Sequence, residues 1–530
     1  MATQSRRLPR RRRGAAALVA AAAATTTALS SAAPAQAGLI GNLLGGTIGV
    51  VSTLLDTTTG LLGGADWGYA PSVARMPEVA SAVGADQLWS RGITGKGVGV
   101  ALIDTGVVPV QGLTSGNVVN GPDLSFESQS PSPYLDGFGH GTHLAGIIAG
   151  NDGTPGGFKG IAPESTLLSV RVGAHDGAAD VSQVIAAVDW VVQHRNDPGL
   201  NIRVLNLAFG TNGTQSPSLD PLAHAVQNAW RAGIVVVVSG GNGGTTRPSV
   251  DNPARDPYVI AVGADDTHGT AGSTLDDSIP DFSTRGSSTR RVDVVAPGQS
   301  IASLRDPGSY VDTEYPAAVV DGRLFKGSGT SQATAVVSGA VALLLQARPE
   351  LSPDAVKAML KTTASPLLQA DAAGRGSGLI NVAAASLATA PLSTQTWTRS
   401  TGLGTLEGAR GSDHVGDAGV DLTGEKDIFG KAWVPSVWAP ASTAHTAWTN
   451  GTWNGSDWAG TCWCGSSWSS RTWSSRTWSS RTWSSRTWSS TTWESRTWSA
   501  SSWSGSQWSS RTWSSRTWSG STWSSASSGG

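Results

Sequence analysis

Five consecutive β-branched residues, Ile234-Val235-Val236-Val237-Val238, leave this chain few folds to choose from. A strand that is apolar on every side chain needs both faces covered, as in a parallel sheet held between helical layers. Other short apolar runs predict strands at 98–103, 167–172, 202–207, 259–262 and 292–295. Helical periodicity fills the gaps at 181–192, 222–231 and 331–346. A further helix is predicted from Ser352-Pro353 to Thr363, with serine as its cap and proline in its first turn. Strands alternating with helices predict an α/β fold, a doubly wound parallel sheet with helices on both faces. In such sheets, sites collect beyond the carboxyl ends of the strands.

Three polar segments fall where that rule would put a site. Asp104-Thr105-Gly106 follows the strand 98–103, and Asn242 lies in the glycine-rich turn Ser239 to Gly244, after the five-residue run. His140-Gly141-Thr142-His143 and Gly329-Thr330-Ser331 each open an apolar helical stretch. A serine hydroxyl is a weak nucleophile until a base takes its proton. Histidine can be that base, and a buried carboxylate fixes its tautomer and stabilises its protonated form. The residue types therefore predict a serine hydrolase with Asp104, His140 and Ser331 as its catalytic set.

The same segments resemble the subtilisin-like serine proteases (subtilases, peptidase family S8), whose triad runs Asp, His, Ser along the chain. The resemblance spans roughly residues 70 to 390. It implies a subtilisin-like fold and peptide-bond hydrolysis, with Asp104 orienting the base, His140 as base and Ser331 as nucleophile. It also implies that Asn242 donates to the developing oxyanion beside the nucleophile's own N–H; capping a turn is the simpler role for an asparagine there. His143 falls on a structural position. Gln332, Ala335 and Val336 depart from the commoner methionine, proline and histidine around the nucleophile.

The segment Leu205 to Gly210 resembles the family's substrate-pairing strand, with Ala208 where serine is usual, so Ala208, Gly210 and Gly241 are expected to contact substrate. Aligning Asn252-Pro253-Ala254 with the family's turn sets Asp251 near the base of the primary pocket, where a carboxylate would favour a basic residue. The competing reading has Asp251 capping that turn in solvent. No metal or other cofactor is expected. Asp136, Asp265, Asp266, Asp276 and Asp277 could join a calcium site, but their spacing matches no dedicated loop.

Charge is distributed unevenly. Of 37 basic residues, six arginines lie in the first 37 positions and seven in 465–530, which holds one acid. The remainder carries 24 basic against 37 acidic residues, a net of −13 that argues against nucleic acid as a partner. Residues 1–37 read as an export signal: a basic start, an alanine-rich apolar stretch and Ala35-Gln36-Ala37 as a cleavage site. Ser5-Arg6-Arg7 also loosely fits a twin-arginine signal. Segment 38–80 is expected to be a short propeptide-like piece, 81–390 the catalytic domain, 391–432 a linker and 433–530 a disordered tail. A secreted monomer acting on polypeptides is expected. The only cysteines, Cys462 and Cys464, supply no disulfide framework.

The tail is regular. Trp433, Trp438 and every fifth residue from Trp448 to Trp523 are tryptophan, 18 of the chain's 23. Its unit approximates Arg-Thr-Trp-Ser-Ser, and residues 465–530 contain no Val, Ile, Leu or Phe. Five residues turn a helix by about 500°, so no indole stripe forms, while an extended chain would alternate its indoles between faces. Without aliphatic residues such a segment builds no ordinary core. Flat aromatics with interspersed cations suit attachment to the cell envelope, wall polymers or polysaccharide. A surface adhesion protein built on a spent protease scaffold is the alternative, disfavoured by the complete catalytic set. An esterase would show Gly-x-Ser-x-Gly and the order Ser, acid, His, and neither is present.

Overall fold

The computed structural model describes residues 73–128, 133–392, 394–417, 420–457 and 487–488. Seven strands form one parallel sheet: β1 (Gly99–Asp104), β2 (Val118–Asp123), β3 (Thr166–Arg171), β4 (Ile202–Leu207), β5 (Val235–Ser239), β6 (Ile260–Asp265) and β7 (Val294–Pro297). Their order is β2-β3-β1-β4-β5-β6-β7, and every neighbouring pair is parallel. From β1 the chain first fills one side, with β2 at the edge and β3 inserted between them, and then builds outward on the other from β4 to β7. The switch point therefore lies between β1 and β4, where an open α/β sheet leaves a crevice at its carboxyl edge. Every residue of β1, β5, β6 and β7 is buried, as their unbroken apolar runs require.

Helices α1 (His140–Ala149), α2 (Val181–His194), α3 (Pro221–Arg231), α4 (Thr330–Ala347) and α5 (Pro353–Thr362) cover the sheet. The apolar α4 packs on β4, β5, β6 and β7 and against α1. Carboxylates of Asp180 and Asp220 cap α2 and α3, accepting from Ser182 N and from Leu222 N and Ala223 N. Ser352 caps α5 with Pro353 in its first turn, as expected.

A second, smaller sheet was not foreseen in the sequence. Strands β8 (Ile301–Leu304) and β9 (Leu324–Ser328) pair antiparallel, and Ala74–Arg75 joins β8 in parallel. β9 leads directly into α4 and so positions its first turn. Thr487–Trp488 of the tail also pairs antiparallel with β9, opposite Gly327 and Ser328.

Two expected boundaries move. The body starts before residue 81: Ala74–Arg75 is a strand, and Met76, Val79 and Ala80 of the following helix are buried. Nor is 391–432 a linker, or 433 the start of a disordered tail. Residues 397–457 fold back onto α2 and α3 through α6 (Leu406–Arg410), α7 (Pro435–Thr443) and strands β10 (Trp448–Thr449), β11 (Thr452–Trp453) and β12 (Ser456–Asp457). Trp433, Trp438, Trp448 and Trp453 are all buried. The reason lies in the turns. Asn450-Gly451 and Asn454-Gly455 all take positive φ, which reverses the chain tightly. That sets Trp448 opposite Trp453 on one face, where an extended strand would have placed them on opposite faces. The expected signal segment 1–37 and the repeats from 458 onward, apart from 487–488, lie outside the described residues.

Candidate active site

Asp104 ends β1 and His140 begins α1, and the side chains meet with Oδ1 and Nδ1 2.7 Å apart, both buried. This contact makes Nδ1 the protonated nitrogen and leaves Nε2 as the basic one. Asp104 Oδ1 also accepts from Thr105 N at 2.8 Å, and Thr105 Oγ1 in turn accepts from Gly141 N at 2.8 Å. A Cβ on Gly141 would lie 2.1 Å from Gly106 O. The glycines of both motifs are thus what lets the start of α1 press against the end of β1.

Asp136, a candidate calcium ligand in the sequence, has another task. Its two oxygens accept from the backbone N–H groups of Phe138, Gly139 and Thr142 at 2.7–3.0 Å, satisfying the open donors where α1 begins. His143, one turn beyond His140, is a structural tie. Its Nε2 donates to Phe325 O at 2.9 Å and so holds α1 to β9. Burial pushes its pKa down to about 3, so it stays neutral.

Ser331 is the second residue of α4 and is fully buried, in a helix whose N-terminus favours negative charge. Asn242 follows β5. Its Oδ1 accepts from both Thr330 N and Thr330 Oγ1 at 2.9 Å. With the oxygen so used, the amide's other end must be the NH2 group. That nitrogen lies 3.3 Å from where a Cβ on Gly329 would sit, beside the turn that carries Ser331. Thr330 thereby fixes which way a donor points, a role that no motif signals. Asp104 and Asn242 lie at the carboxyl ends of parallel strands, and His140 and Thr330 bond to them, so the four segments lie at one end of the sheet.

Asp251 lies between the two segments expected to line the pocket. A Cβ on Gly210 would come within 2.8 Å of Asp251 Cβ, and one on Gly241 within 2.4 Å of its Oδ2. Asp251 is 6% exposed, so it does not cap a turn in solvent, and its carboxylate pairs with Arg247 at 2.8 Å. Arg247 is the residue here that sequence reasoning missed. It lies four positions from Asp251 and outside every motif. Ala208 is buried at the end of β4.

The remaining acidic candidates stay apart from the catalytic set. Asp265 and Asp277 lie buried beside each other and hydrogen-bond to one another, with no other donor among the described residues on either carboxyl group. Burial and their mutual repulsion raise the pKa of Asp265. Asp266 accepts from His268 N, and Asp276 from Thr270 Oγ1. Among the described residues no group of three or more His, Cys, Asp or Glu is arranged to hold a metal ion.

A family model described as the subtilase family matches residues 95–404. Serine protease AprX of Bacillus subtilis (strain 168) is 38% identical over 296 residues, 54% of this chain and 66% of that protein. Subtilisin DY of Bacillus licheniformis is 34% identical over 304 residues, 57% of this chain and 95% of that protein. A crystal structure of a cold-adapted subtilisin-like serine proteinase, 32% identical, covers 56% of this chain and 91% of its own with a TM-score of 0.43. The family match takes in Asp104, His140, Asn242 and Ser331 together and exceeds half of the chain, so the protein belongs to the subtilases, the serine proteases of peptidase family S8.

Proposed function

We propose that this protein is an exported serine endopeptidase in which Ser331 attacks the peptide carbonyl while His140 Nε2 accepts its proton. Asp104 holds the imidazole in the required tautomer and stabilises its cationic form. Charge developing on the carbonyl oxygen is received by the Ser331 N–H and the Asn242 amide NH2, donors set in place before the reaction begins. The His140 proton then passes to the leaving amine, and water hydrolyses the acyl-enzyme by the same route in reverse. The observation that carries this reading is the 2.7 Å contact between Asp104 Oδ1 and His140 Nδ1 inside a buried site. A fluorophosphonate probe tests it. Wild-type protein should label and the Ser331→Ala variant should not; equal labelling of both would refute the assignment.

Substrate would pair as an added strand with Leu207 to Gly210, its leading side chain entering beside Gly210, Gly241 and Asp251. The buried Asp251 carboxylate beside Gly210 and Gly241 supports a preference for basic residues at the cleaved bond, although such a side chain must displace Arg247 from it. Export is supported by the arginine-rich start, apolar stretch and small-residue site of 1–37. Attachment to envelope polymers through the Arg-Thr-Trp-Ser-Ser repeats is supported by their evenly spaced indoles and cations.

A further inference from the structure

The segment immediately after the pocket strand, residues 211–215, is held from two sides. On one side Thr211 and Asn252 exchange backbone hydrogen bonds, Thr211 N to Asn252 O at 2.9 Å and Asn252 N to Thr211 O at 3.0 Å. This ties the segment to the turn that carries Asp251. On the other side it meets the C-terminal extension. Thr211 Oγ1 donates to Ala409 O at 2.5 Å and Thr214 N to Gly408 O at 3.0 Å. Asn212 donates its N–H to Asp413 Oδ2 at 2.7 Å and its amide to Ser412 Oγ at 2.9 Å. Gln215 and Thr405 exchange two more bonds, at 2.7 and 3.0 Å.

The extension is itself anchored. Arg410, fully buried at the end of α6, donates Nε to Asp180 Oδ1 at 2.7 Å and Nη2 to Asp180 Oδ2 at 3.2 Å. Its Nη1 donates to Gly424 O at 2.7 Å. Asp180 is also the cap of α2, so this ion pair bolts α6 to the body.

We infer that residues 405–413 are a positioning element for substrate binding: they hold 211–215, and through it the Gly210–Asp251 wall of the pocket, in the shape an extended peptide requires. This deepens the proposed protease function and rests on its assignment of the pocket. The physical basis is pre-organisation. A peptide that adds as a strand needs an edge already straight, and an unsupported edge must be ordered at the expense of binding. The triad has separate supports, in β1, α1, α4 and β9. Loss of the brace therefore weakens substrate binding and spares the nucleophile.

The test uses full-length Asp413→Ala and Arg410→Met. KM and kcat are measured on peptide amides that fill several subsites, alongside the rate of fluorophosphonate labelling and the melting midpoint. Asp413→Ala is expected to raise KM about tenfold, the size of a lost charge-assisted hydrogen bond. Its kcat and labelling rate should stay within about twofold of wild type, less than one such bond is worth. Arg410→Met should act in the same direction; if it does not fold, Asp413→Ala alone carries the test. An unchanged KM in folded Asp413→Ala overturns the inference. So does a labelling rate that falls in step with kcat/KM, since that marks general loosening. Failure of the wild type to label would instead remove the protease reading, and this inference with it.

Discussion

Two buried carboxylates in this protein each accept from aromatic N–H groups, and they do opposite things. Asp104 meets the imidazole of His140 at 2.7 Å. Asp189, midway along α2, accepts from the indoles of Trp438 at 2.8 Å and Trp453 at 2.9 Å, and from Ser442 Oγ at 2.6 Å. An imidazole has a second nitrogen that can take a proton, so the first pair is poised for chemistry. An indole has only its N–H, so the second cluster can only bind. Around it the Trp433 ring packs tilted against Trp438 with centroids 4.9 Å apart, and Trp448 Nε1 donates to Ala186 O at 2.8 Å. Each buried carboxylate is satisfied by N–H donors, and the donor's own chemistry decides whether the pair can move a proton or only hold the fold together.

Disabling one carboxylate should leave the function of the other intact. Asp104→Asn should lower kcat by about 10⁴, because the imidazole loses its tautomer, with the melting midpoint nearly unchanged. A loss below about tenfold would deny Asp104 its role. Asn242→Ala should lower kcat by about 10²–10³, a magnitude that comes from a subtilisin, with KM little altered. A change confined to KM would show that the amide binds substrate but does not serve the oxyanion.

On the other side, Asp189→Ala should cost about 3 kcal/mol of stability, read by denaturant melts, since two buried indole N–H groups lose their acceptor. Its kcat should stay at the wild-type value; a catalytic loss as large as that of Asn242→Ala would show the two clusters to be coupled. Acid sharpens the point at Asp180. Burial alone would raise its pKa, but the charge and hydrogen bonds of Arg410 hold it below the ordinary carboxylate range. A depressed carboxylate stabilises the fold above its unfolded pKa, and that contribution is lost as pH falls through the folded value. The wild-type advantage over Arg410→Met, in which burial is left to raise the Asp180 pKa, should therefore be complete at neutral pH and shrink steadily as the solution is acidified. The smallest effect is expected at Asp251→Gly, a shift in preference from arginine towards phenylalanine and leucine peptides. An unchanged order would remove Asp251 from specificity.

Most of the α/β body was legible. The helix 222–231 is observed as Pro221–Arg231, and the strand 202–207 as Ile202–Leu207. Buried parallel strands write themselves as apolar runs, and Asp104, His140 and Ser331 each sit at an element end with small neighbours that locate them. The edge strand Val118–Asp123 escaped because its exposed residues dilute that signal. The small sheet β8–β9 escaped because its strands are short and lie 20 residues or more apart.

The repeat region shows where sequence reasoning stopped. A five-residue tryptophan period fits no stripe on a helix and no single face of a strand, so the sequence offered it no core. Asn450-Gly451 and Asn454-Gly455 reverse the chain tightly within that period, and the core those indoles find belongs to α2, 249 residues away for Trp438 and 264 for Trp453.

The sequence by itself determined the buried strands of the sheet, its helices and where the polar candidates Asp104, His140 and Ser331 fall on them, because backbone preference and residue chemistry are written in neighbouring residues. Only the tertiary structure decided which way the Asn242 amide faces, that Arg247 meets Asp251, and that residues 397–457 brace the body. Each of those depends on a partner remote in sequence, or on a choice among local contacts that no motif specifies. Burial then leaves a polar group little choice but to find that partner.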